Sequence, residues 1–162
     1  MKKFTTANLF SIGFLFLFLS SLVIFKGCAQ EQETKSEDFN ISGSGIHIEG
    51  PWARPASEGR MSAAYLLITN FENEPDTLTS VESDVARMVE IHESYEREGG
   101  MVGMREVPEL IIPPNSTVRL EQGGLHVMLI QVTRTLADGD TFELTLNFSN
   151  QGEKSVEIPV RL

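Results

Sequence analysis

From Ile46 to Val160 the apolar and polar residues alternate in short runs broken by turn residues, and nowhere does an amphipathic helical period persist beyond two turns. Strands are predicted near Ile46–Glu49, Ser62–Asn70, Thr77–Glu82, Arg87–Tyr95, Met101–Val107, Ser116–Leu120, His126–Val132, Thr141–Phe148 and Lys154–Val160. Between them stand Glu74-Pro75-Asp76, Gly99-Gly100, Pro113-Pro114-Asn115, Gly123-Gly124, Asp138-Gly139-Asp140 and Asn150-Gln151-Gly152, each a dense turn signal. About nine short strands at this spacing predict an all-β fold, a Greek-key sandwich or barrel.

Ahead of Ile46 the pattern changes. Lys2 and Lys3 precede a largely apolar run of 17 residues, Leu9 to Phe25, which has the layout of an export signal and is also near the length of a membrane anchor. Phe25-Lys26-Gly27-Cys28 resembles a bacterial lipoprotein processing box, with glycine before the cysteine. Ala29 to Gly45 is polar, acidic and Ser/Gly-bearing, the composition of a flexible tether. The expected organisation is therefore a signal peptide or anchor over residues 1–27, a tether over 28–45 carrying a lipid on Cys28, and a folded domain over 46–162. Such a chain faces outward, in the periplasm or at the cell surface, held to the membrane by lipid or by its N-terminal segment.

Composition narrows the chemistry. The 162 residues carry a formal charge of −10, and with three lysines and no acid in residues 1–27 the rest of the chain is more acidic still. Nucleic-acid binders need a basic stripe to displace counterions, so a DNA or RNA partner is excluded as an expectation. A single cysteine leaves no intrachain disulfide, no CxxC pair and no zinc site built on several thiolates. Soft-metal chemistry, if present, falls to methionine and histidine.

Four residues fit that requirement. In Gly124-Leu125-His126-Val127-Met128 the histidine and methionine are two apart, which on a strand places imidazole and thioether on one face. In Met88 to Ser94 the apolar Val89 and Ile91 alternate with Glu90, His92 and Ser94, so His92 belongs to the polar face of its strand. A hairpin centred near Glu98 would put His92 opposite Met104. Two imidazoles and two thioethers need no carboxylate or thiolate to complete a ligand set. Thioether sulfur is a poor ligand for magnesium, calcium or zinc and a good one for Cu(I), so His2Met2 selects monovalent copper.

The spacing of these residues, His92-x11-Met104-x21-His126-x-Met128, closely resembles the H-x10-M-x21-H-x-M signature of the periplasmic copper chaperones called PCu(A)C. The additional residue falls at Gly99-Gly100, where a hairpin can absorb it or where Met101 could take the place of Met104. Met104-Arg105-Glu106-Val107 matches the family's Met-Arg-x-Val context and favours Met104. Pro51-Trp52-Ala53-Arg54-Pro55, Ala63-Ala64-Tyr65-Leu66 and Gly123 to Leu129 also look like family landmarks. The resemblance implies a cupredoxin-like β-sandwich and a monomeric domain that carries Cu(I) at a surface site. It also implies delivery to the copper-A subunit of a respiratory haem-copper oxidase, or to another copper carrier. It implies no catalysis. A β-sandwich accessory or adhesion lipoprotein, or copper sequestration for resistance, are the competing readings.

The remaining candidates read as structural. His47 is expected to be an ordinary strand histidine rather than a fifth ligand or a group supporting the ligands, Met61 to fill a gap in the packing rather than to lie near copper, Trp52 to anchor the core or its rim rather than to contact the ion, and Met88 and Met101 to be structural.

Overall fold

The structure is a computed structural model that describes residues 43–97 and 99–162. The expected signal or anchor, Cys28 and nearly all of the expected tether lie outside these residues. Among the described residues there are ten strands: β1 (Ile46–Ala53), β2 (Ser62–Asn70), β3 (Asp76–Glu82), β4 (Ala86–Glu96), β5 (Val102–Glu106), β6 (Leu110–Ile112), β7 (Ser116–Leu120), β8 (Leu125–Val132), β9 (Thr141–Phe148) and β10 (Gly152–Pro159). They form two antiparallel sheets. One runs β1-β2-β8-β4-β5, with β7 also paired to β2; the other runs β10-β9-β3-β6.

Alternation along the strands builds the sandwich. Leu66, Ile68, Ile91, Val127 and Leu129 of the first sheet and Leu78, Leu144, Leu146 and Ile158 of the second are buried between the layers. Along β4, β8 and β9 inward apolar residues alternate with residues on the outer face, whereas β2 is buried on both faces and β5 on neither. Two buried polar side chains fix the connection between β2 and β3. Asn70 donates through Nδ2 to the carbonyls of Glu74 and Ile112 and accepts from the Glu72 N–H. The carboxylate of Asp76 accepts from the backbone N–H groups of Thr77, Asn150 and Gln151.

Two differences from the sequence reading have physical causes. The tenth strand is β6, three residues between Pro108 and Pro113, too short to display a period and recognisable only through its pairing with β3. The β4–β5 hairpin is centred on Gly99, so Ser94 pairs with Met104 and His92 with Glu106. The expected pairing of His92 with Met104 is therefore corrected by one step of the ladder. Gly99 and Gly100 both adopt positive φ, and the Arg97 N–H donates to the Met101 carbonyl across the turn (2.7 Å). Each pair in the hairpin joins two even-numbered or two odd-numbered residues, so Met104 keeps the face of His92 and stands diagonal to it.

The path of β7 and β8 makes the opening in the sheet. Both pair antiparallel to β2 on the same side, β7 against Leu66–Asn70 and β8 against Ser62–Ala64. Between them the chain bulges out through Glu121 to Leu125, closed by the Glu121 N–H to the Leu125 carbonyl (2.7 Å) with Gly123 at φ 81°. After this excursion β8 pairs with β4 along its other edge, His126 directly opposite His92.

Candidate metal centre

A cleft of about 450 Å³ opens on the outer face where β7 gives way to β8. Met61, Ala63 and Tyr65 line it from the β2 side, His126 and Met128 from β8, Ser94 from β4, and Val102 and Met104 from β5. Cross-strand pairs Ala63–Met128, Glu90–Met128, His92–His126 and Ser94–Met104 establish that these residues share one face. His126 is 4 % exposed and Met104 56 %, so the imidazole lies deep and the thioether stands at the mouth. His92 is half-buried beside the cleft, its ring centroid 6.1 Å from that of His126. All four residues expected from the sequence thus come together on one face.

Hydrogen bonding assigns the two rings different roles for their nitrogens. His126 Nδ1 lies 3.0 Å from the Gly124 carbonyl oxygen. A carbonyl only accepts, so Nδ1 carries the proton and Nε2 of the neutral ring keeps its lone pair. His92 Nε2 lies 2.7 Å from Glu90 Oε2. The carboxylate only accepts, so Nε2 is the donor and the lone pair of the neutral ring is on Nδ1. That Nδ1 is buried and has no hydrogen-bond partner. An unpaired acceptor in a buried position costs free energy unless something occupies it. A metal ion or a hydrogen-bond donor at that lone pair would satisfy it.

The bonds around these rings hold them in place. The Gly124 carbonyl also accepts from the Ser94 N–H (3.1 Å), tying the loop that precedes β8 to β4. On the opposite face of the hairpin Arg105 pairs with Glu93 and lies over the Tyr95 ring, 5.6 Å from its centroid, so β5 is braced although it is mostly exposed. Among the described residues no three His, Cys, Asp or Glu side chains converge as a ligand set. A metal held here would draw on thioether sulfur.

The other candidates occupy different ground. His47 stacks edge-on against Phe71 (4.7 Å between centroids), away from the cleft. Trp52 packs against Tyr65 with Arg161 above it, an anchor on the rim. Met61, expected to fill a gap in the packing, is instead 62 % exposed, and Met88 and Met101, expected to be structural, are 51 % and 64 % exposed. Of these three, only Met61 reaches the cleft. Glu90 was the partner missed; its place two residues before His92 on the same polar face was a signal for it. The Gly124 carbonyl had none, because its direction depends on the bulge between β7 and β8.

The chain is similar in sequence and fold to known proteins. The family described as "Putative lipoprotein LpqE-like" matches residues 46–160. A protein named "Putative lipoprotein Lxx21020" from Leifsonia xyli subsp. xyli is 26 % identical over 135 residues, covering 83 % of this chain and 81 % of its own. Among solved structures, the copper-bound PCuAC domain from PmoF2 is 30 % identical with a TM-score of 0.60, covering 72 % of this chain and 92 % of that domain. The solution structure of CuI-DR1885 from Deinococcus radiodurans is 31 % identical with a TM-score of 0.55, covering 70 % of this chain and 78 % of that one. With a family match across almost the whole described domain and the same sandwich in these relatives, the chain belongs to the LpqE-like family of PCu(A)C-type domains.

Proposed function

We propose that this protein is an extracytoplasmic copper chaperone that binds Cu(I) through His92, Met104, His126 and Met128. The observation that carries the reading is the pair of cross-strand imidazoles, each with one nitrogen committed to a hydrogen bond and a lone pair left on the other, beside two thioethers on the same face. His92 Nδ1 and His126 Nε2 are the nitrogen donors; Met104 and Met128 supply sulfur. Four neutral ligands suit a soft monovalent ion, and thioether and imidazole hold it without the oxidation that a thiolate would suffer outside the cytoplasm. The copper-bound relatives of the same fold support the choice of ion.

A site at an open cleft releases its ion by ligand exchange with an acceptor, which is the task of a carrier. The acceptor in this reading is the copper-A subunit of a respiratory haem-copper oxidase, or another copper carrier. Lipid on Cys28 with a tether to residue 45 would hold the domain beside a membrane acceptor and raise its effective concentration. The name of the family supports lipid anchorage. Anaerobic Cu(I) titration followed by X-ray absorption tests the site: one ion per chain with mixed sulfur and nitrogen ligation is expected. Loss of the ion to a moderate chelator, or ligation by nitrogen and oxygen alone, would refute it.

A further inference from the structure

Met61 is placed as a functional side chain would be, although nothing about the four-residue motif includes it. It immediately precedes β2, and since Ala63 pairs with Met128, the pleat puts Met61 on the same face, diagonal to Met128. It lines the same cleft, on the side across from Met104. The mouth is therefore flanked by two exposed thioethers, 62 % and 56 % accessible, with His126 below them.

The backbone around Met61 is fixed while its side chain is free. Val132 N–H donates to the Arg60 carbonyl (2.9 Å), Gly59 N–H to the Val132 carbonyl (2.8 Å), and Ser62 Oγ to the Arg54 carbonyl (2.6 Å). The thioether itself packs too little to serve the core. A rigid base carrying a flexible, soft donor is what a ligand-exchange station requires, because the donor must reach the ion without the fold rearranging.

We propose that Met61 is a third thioether donor that holds Cu(I) transiently at the cleft mouth during loading and release. In the exchange, a copper–sulfur bond to Met61 forms as the bond to Met128 breaks. No electron or proton is transferred, and the ion stays monovalent. The inference rests on the chaperone reading above and adds a path between the site and the surface.

Methionine oxidation reads this directly, with Ag(I) as a soft monovalent probe that does not cycle redox states. In the full-length chain without metal, peroxide should convert Met61, Met88, Met101 and Met104 to sulfoxides at comparable rates, given their similar exposure. With Ag(I) bound to the wild type, Met104 and Met128 should be protected at least about threefold while Met88 and Met101 react as before; in M128L, where the competing thioether is gone, Met61 should take its place and be protected at least about threefold together with Met104. In Ag(I)-loaded M128L, Met61 reacting at the metal-free rate while Met104 is protected would overturn the proposal alone; loss of protection at both Met104 and Met128 in the wild type would overturn the chaperone reading beneath it. In a second arm, M61L should slow transfer of Cu(I) to a competing chelator by about fivefold, with M88L as the control that transfers at the wild-type rate. Transfer by M61L at the wild-type rate would also overturn it.

Discussion

Replacing Glu90 with alanine isolates the part of Cu(I) binding that depends on how His92 is held. The wild-type carboxylate lies 2.7 Å from His92 Nε2 in a half-buried setting, with 17 % of the histidine side chain and 24 % of the glutamate side chain exposed. Without it the ring gains two orientations and two tautomers, of which one combination directs a lone pair through Nδ1 in the observed pose. If the four are equally populated, the competent fraction falls to about one quarter, which weakens binding by about 0.8 kcal/mol. The carboxylate also polarises the Nε2–H bond and strengthens the donor on the other nitrogen. Partners of this kind typically contribute 10- to 100-fold in metal affinity, so E90A is expected to lose about 1.4 to 2.7 kcal/mol. Glutamine retains an acceptor oxygen and the ring orientation but not the charge, so E90Q should lose only about fivefold or less. Anaerobic competition against a chromogenic Cu(I) chelator gives the affinities, and long-range proton–nitrogen correlation spectra give the tautomer of His92. An E90A protein that is folded, has a mixed tautomer and binds Cu(I) within about twofold of wild type would refute the argument.

Met128→Leu nearly conserves volume and should cost less than about 1.5 kcal/mol in stability while weakening Cu(I) binding in the same competition assay; unchanged affinity would remove it from the ligand set. Met104→Leu and Met101→Leu compared side by side should separate sharply, with only the former losing affinity, because Met104 shares the face of His92 and Met101 lies outside the cleft. Away from copper, Asp76→Ala leaves three backbone N–H groups without their carboxylate and should cost about 3 kcal/mol. That lowers the urea midpoint by about 2 M for a domain of this size; a shift near zero would show that water replaces the carboxylate.

Much of the site was legible because strand periodicity is a local property. The alternation in Met88–Ser94 and in Leu125–Met128 assigned His92, His126 and Met128 to outward faces, and burial of Ile91, Val127 and Leu129 on the inner face is the same fact seen from the core. Met104 was harder, since its partner depends on where the hairpin turns. Gly99 and Gly100 permit several centres, and the one adopted moved its partner from His92 to Ser94 without changing its face. The strand β6 was illegible because three residues carry no period.

By itself, the sequence determined the all-β class, the alternation that separates core from outer face, and the softness of the donor set: one cysteine, and thioethers placed at strand spacing from imidazoles. Only the tertiary structure decided which strands lie side by side, and with that the meeting of β4 and β8 that places His92 across from His126. It also decided the bulge that aims the Gly124 carbonyl at His126 Nδ1, the partnership of Glu90 with His92 Nε2, and the exposure of Met61 at the cleft. The physical reason is that side-chain direction repeats every two residues along one strand, whereas pairing between strands distant in sequence is settled by burial of the whole core and by turn geometry that no short stretch encodes.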